Sequence, residues 1–115
     1  MSATQIPDDK TLAALYRARE AKLKRPLLLA KMQTPDVAAN CRYAADCCED
    51  VPELLGGMSV LVFLSGVEGV DFETAEAWMK AAAINPLLTM AGLRESGGAM
   101  LAKALRVLAE EEEAK

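Results

Sequence analysis

Apolar residues recur along this chain at spacings of three and four, and few stretches alternate strictly. That period lines them up on one face of a helix rather than on one face of a strand. The first such stretch follows Pro7-Asp8-Asp9, where a proline and two acids suit the positive end of a helix dipole. It predicts a helix to about Lys24, with Leu12, Leu15, Tyr16 and Leu23 inside one arc roughly 100° wide. A stripe of that kind is expected to be buried. Arg19 falls in its middle as the local misfit. Two roles suit it. Its stem could lie on the core with its head in water. Or it could reach an acid such as Asp46 or Glu76, on another helix or another copy, and so fix register.

Pro26 disfavours helical geometry at Arg25, so a kink or new start is expected there. Leu27, Leu28 and Met32 of the next short segment are then available to the core. Thr34-Pro35-Asp36 supplies a capping hydroxyl, a proline at the first helical position and an acid. The helix it opens, to about Glu49, aligns Val37, Cys41, Ala44, Ala45 and Cys48 on one face. From Pro52 to Ser65 two readings compete. Gly56-Gly57 and the β-branched run favour a strand. The stripe Leu54, Met58, Leu61, Val62 and Ser65 favours a buried helix. No second convincing strand offers a partner, which decides for the helix.

Beyond Gly66-Val67-Glu68-Gly69, Asp71 caps a helix to about Ile84, with Phe72, Ala75, Met79, Ala82 and Ala83 in one stripe and Trp78 beside it. Asn85-Pro86 starts a short helix, Leu87 to about Arg94. The last helix spans Ala99 to about Glu112, with Met100, Leu101, Ala104, Leu105 and Leu108 inward. The fold class read from this pattern is all-α. It is a compact bundle of five to six short helices with a central apolar helix around 53–65, in a single domain over 1–115, loose at 1–6 and 111–115.

Composition sharpens the picture. Hydrophobic residues make up 52% of the chain and aromatics only 4%. The excess is Ala, Leu, Val and Met, whose small or flexible side chains let helices approach closely. A domain of 115 residues with surplus apolar surface must expose some of it or bury it against another chain. A homo-oligomer or a protein partner is the expectation. The longest apolar run, Val60 to Leu64, is far shorter than the ~20 residues a membrane-spanning helix needs, so no membrane role is expected. The opening ten residues are polar and do not resemble a secretory signal. With three cysteines, an odd number, a reducing cytoplasmic setting fits best.

Net charge is −4, which opposes nucleic acid in bulk. The charge is uneven: residues 1–42 hold eight bases and four acids, and residues 43–115 hold five bases and thirteen acids. Such a dipolar chain suits head-to-tail or antiparallel self-association.

Candidate chemistry is sparse. There is no histidine, so Cys41, Cys47 and Cys48 lack both a base and the ligand partners of a zinc site. Packing explains them best. Cys47 points away from the Cys41/Cys48 face and is expected to be half-exposed, a candidate thiol for redox or intermolecular bonding. Asp46, Glu49, Asp50 and Glu53 cluster, but match neither a calcium loop nor a di-metal bundle motif. Ser96-Gly97-Gly98 at a helix start has no Lys-Ser/Thr after it and reads as a turn. No catalytic, metal or cofactor-binding residues are assigned, and no enzyme activity is expected.

The expected function is a small non-enzymatic protein–protein interaction module, an adaptor, chaperone-like or regulatory factor, that self-associates. Its candidate surface is Arg17, Arg19, Lys22, Arg25 and Trp78. The alternative is a helical nucleic-acid binder using the basic first helix. Residues 74–93 hint at a helix–turn–helix, although the second helix would carry almost no base-reading side chains.

Overall fold

The computed structural model describes residues 8–95 and 97–115. Five α-helices follow one another: α1 (Asp9–Ala30), α2 (Val37–Glu49), α3 (Val60–Ser65), α4 (Phe72–Ala81) and α5 (Gly98–Glu113). Single 3₁₀ turns at Glu53–Leu55 and Met90–Arg94 complete the set. Among the described residues there is no strand, only a lone antiparallel bridge between Ser59 and Thr89. The all-α bundle expected from the 3.6-residue period is what the chain forms. The expected loose segment at 1–6 lies outside the described residues.

The starts of α1 to α4 work through a side-chain oxygen, while α5 starts at left-handed Gly97 without one. Asp8, Asp36, Ser59 and Asp71 accept from the backbone N–H groups of Thr11, Ala39, Val62 and Thr74. Each meets one of the donors a helix start leaves unpaired. At Asp8 and Asp71 that bond also holds the carboxyl below its ordinary range. Helix α4 stops three residues before the expected Ile84. Ala83 takes φ 55°, and the N–H groups of Ile84 and Ala83 return to the carbonyls of Met79 and Lys80. This pairing closes a helix end when the residue beyond the cap is left-handed.

The core is built on the packing of α2 against α5. Ala38, Cys41, Ala44, Ala45 and Cys48 of α2 are buried against Leu101, Ala102, Leu105 and Ala109 of α5 within one cluster. Small side chains bring the two backbones close. A Cβ on Gly98 would lie 2.5 Å from the Cys48 carbonyl oxygen. Only glycine lets α5 begin there.

The segment expected as one helix around 53–65 divides in two. Gly56-Gly57 follow the 3₁₀ turn, extended Ser59 bridges to Thr89, with Met58 and Val60 bonded to Met90 and Leu88, and Ser59 then caps the six-residue α3. The helix reading holds only for the shorter α3, and the strand reading reduces to the lone bridge at Ser59. The phase resets at Ser59, so the buried face of α3 is Val60, Phe63 and Leu64, while Val62 is exposed.

Among the described residues one polar side chain, Asn40, is buried within this core. The Asn40 Oδ1 accepts from Thr34 N at 3.1 Å and from the Thr34 hydroxyl at 2.6 Å. Its Nδ2 donates to the carbonyls of Thr34 at 2.8 Å and Glu68 at 3.3 Å. These bonds join the α1–α2 loop to the α3–α4 loop. The sequence pattern gave no sign of this role.

Helix α1 stands apart. It continues without interruption through Pro26, where a break was expected. Arg25 Nε donates to the Leu54 carbonyl at 2.9 Å and ties this part of α1 to the Glu53–Leu55 turn. The result is a long molecule, 66 × 30 × 22 Å, with a radius of gyration of 16.9 Å. A globular domain of this length has about 13–14 Å. The bundle itself is compact, and α1 extends beyond it.

Candidate interaction surface

The stripe on α1 is not buried. Leu15, Tyr16, Leu23 and Leu27 are 57%, 69%, 66% and 69% exposed, and no residue of α1 is fully buried. The expectation of a covered face is corrected for a geometrical reason. At about 100° per residue, the residues that meet the body (Ala21, Arg25 and Leu28) lie on the side opposite Leu12, Tyr16 and Leu23. Holding α1 by that side turns its apolar stripe outward. Leu27, expected to serve the core, instead extends the stripe by one turn. An unbroken helix through Pro26 places it four residues after Leu23.

Of the cations singled out in the sequence, Arg17, Arg19 and Lys22 are exposed and carry no ion pair among the described residues. Arg19 reaches neither Asp46 nor Glu76. It lines a shallow hollow with Leu12, Leu15 and Tyr16. Arg25 is half-buried and serves the Leu54 carbonyl. Its role is to anchor α1.

Trp78 is half-buried on α4 and packs against the core. It lines an apolar groove of about 610 Å³ with Ala104, Val107 and Leu108 of α5. Met100 stands in the same groove and is 58% exposed, although it was expected to face inward. Phe72, also expected inside, is 52% exposed. Helices α4 and α5 leave this side open because α5 gives its other face to α2.

The thiols are free and buried. Cys47, expected to be half-exposed, is only 4% exposed. The buried arc of α2 is wide enough to include it, and Tyr43, one turn earlier, shields it with Lys31 Nζ 5.8 Å from the ring centroid. Burial pushes the Cys48 thiol up to about 12 and raises those of Cys41 and Cys47. At neutral pH all three are protonated, and a thiol is a weak nucleophile compared with its thiolate.

Two acids of the cluster, Asp46 and Glu49, are paired within the chain. Arg106 of α5 pairs with Asp46 at 3.0 Å and with Glu49. Among the described residues no group of three or more acids and cysteines could hold a metal ion. Arg42 pairs with Glu113, and α5 stays helical to that residue. The expected turn at Ser96-Gly97-Gly98 includes Ser96, which lies outside the described residues. The expected helix at 87–94 is a 3₁₀ turn over Met90–Arg94, too short to act as a groove-reading helix. Among the described residues no helix is long and apolar enough to cross a membrane.

Comparison with known proteins returns no matching family model, no matching curated protein and no matching solved structure.

Proposed function

We propose that this chain is a helical protein–protein interaction module that associates with itself. The observation that supports this most directly is the orientation of α1. A 22-residue helix is held by Ala21, Arg25 and Leu28 so that Leu15, Tyr16, Leu23 and Leu27 face outward. Burying a side chain of that size contributes about 1.5–3 kcal/mol. A run of them on one exposed helix is the apolar face that helix-in-groove or helix-to-helix recognition uses. The protonated thiols and the internally paired acids fit a non-enzymatic role. Reduced, buried cysteines suit a cytoplasmic setting.

Sedimentation velocity between low and high micromolar concentration tests the proposal. The natural sequence is expected to exceed its 12.3 kDa monomer mass, and Leu15→Glu/Leu23→Glu to remain monomeric. A natural chain that stays monomeric throughout would refute self-association.

The second reading, nucleic-acid binding, draws on the unpaired cations Arg17, Arg19 and Lys22. It requires a mobility shift with generic DNA or RNA that weakens as salt rises. Charge reversal at Arg17 and Lys22 should then abolish the shift. A flat titration at low salt would remove this reading.

A further inference from the structure

The exposed stripe of α1 and the open groove between α4 and α5 are complementary in chemistry, length and charge. We infer that they bind each other between copies: α1 of one molecule lies in the α4–α5 groove of the next. This rests on the self-association proposed above and specifies its geometry.

The chemistry is apolar on both sides. Leu23, Leu27 and Tyr16 would meet Trp78, Met100 and Val107. A second hollow continues the groove past Trp78 toward Ala82 and Leu101. The lengths agree. Met100 to Glu111 spans about 17 Å of α5, and Tyr16 to Leu27 spans about 17 Å of α1. The same chain cannot satisfy itself, because the stripe points away from the body that carries the groove.

Charge selects this pairing over α1 against α1. Helix α1 has six basic and two acidic residues, a net +4. Helices α4 and α5 together have three basic and six acidic residues, a net −3. Two copies of α1 side by side would set +4 against +4. Against α4 and α5 taken together, +4 meets −3. Glu111 lines the groove, as does Lys103, and Glu110 is its neighbour in α5; neither glutamate is ion-paired among the described residues. They would face the unpaired Arg19 and Lys22, which border the stripe, whereas Arg17 lines a hollow against Glu53 and Leu54 of its own chain. Exposed ion pairs add little affinity, but they suppress wrong pairings and fix register. Stripe and groove are different surfaces, so the contact is head-to-tail. Its repetition gives a ring if the rotation closes and a filament if it does not.

Mixing variants tests this. A stripe variant, Leu15→Glu/Leu23→Glu, keeps its groove. A groove variant, Met100→Glu/Val107→Glu, keeps its stripe. All four positions are exposed, and circular dichroism and melting verify that each variant folds. Each alone is expected to sediment as a monomer, and an equimolar mixture as a one-to-one heterodimer. Glu110→Lys/Glu111→Lys, a pure surface change, is expected to weaken association of the otherwise natural chain at least tenfold at low salt. If the groove variant associates as well as the natural chain, the stripe pairs elsewhere; this geometry is then wrong while self-association stands. A mixture that stays monomeric, or a charge reversal without effect, also overturns it. A monomeric natural chain refutes both this geometry and the self-association beneath it.

Discussion

Helices α1 and α2 carry similar signals. Both open with a capping aspartate, and both place apolar residues on one face. Yet seven of the thirteen residues of α2 are buried and none of α1 is. Periodicity identifies a face. What covers that face depends on where the rest of the chain can reach. The α2 face is lined by alanine and cysteine, which lets α5 come close on one side while the loops close over Asn40. The α1 face bears leucines and a tyrosine, and the chain binds α1 by its other side. The difference separates residues that hold the fold from residues left for association.

Substitutions on the two helices should divide accordingly. The largest effect is expected at Asn40. Asn40→Ala removes bonds to Thr34 and Glu68 and strands their backbone groups, and should cost about 4 kcal/mol in urea unfolding. A loss below about 1 kcal/mol would mean that the two loops do not depend on this side chain.

Alkali should act next, and on α2 alone. The Cys48 thiol is raised to about 12 by burial from an ordinary 9.0. Between those values the unfolded chain releases a proton that the folded chain keeps. Stability is therefore fully present below pH 9 and falls as pH rises toward 12, by a few kcal/mol. Cys41, Cys47 and Tyr43 shift in the same direction. Cys48→Ala should flatten the decline of stability between pH 9 and 11 without removing it. An unchanged slope would contradict the burial of this thiol.

Gly98→Ala should cost about 2 kcal/mol, since the added methyl would meet the Cys48 carbonyl oxygen at 2.5 Å and that of Leu93 at 3.1 Å. Thermal melts would show it. A stabilised variant would mean that the α2–α5 contact is looser than described. The smallest effect is expected on α1. Leu23→Glu should change monomer stability by less than about 0.5 kcal/mol, measured at low concentration, because nothing in the same chain covers Leu23. A loss of several kcal/mol would place this residue in a core and end the contrast.

Much of this was legible from residue order. The cap at Asp71, the helix starts near Asp8 and Asp36, the buried face of α2 and the all-α class follow from spacing and side-chain chemistry, whereas the cap expected at Thr34 falls to Asp36 and the helix begins at Val37. Three features were not legible. The turn at Gly56-Gly57 and the cap at Ser59 shifted the phase of α3, so the buried face was Val60, Phe63 and Leu64 rather than the stripe through Leu61 and Val62. The continuity of α1 through Pro26 depends on contacts from outside the helix, including the Arg25–Leu54 bond. Cys47 was hidden by Tyr43 and the width of the α2–α5 contact.

By itself, the order of residues determined where helices begin and which side of each repels water. Those are local properties, set by capping oxygens and by the turn of the backbone. Tertiary structure alone decided which of the water-repelling sides find cover within one chain. That depends on the reach and order of the connections, and it left the outer side of α1 and the hollow beside Trp78 open.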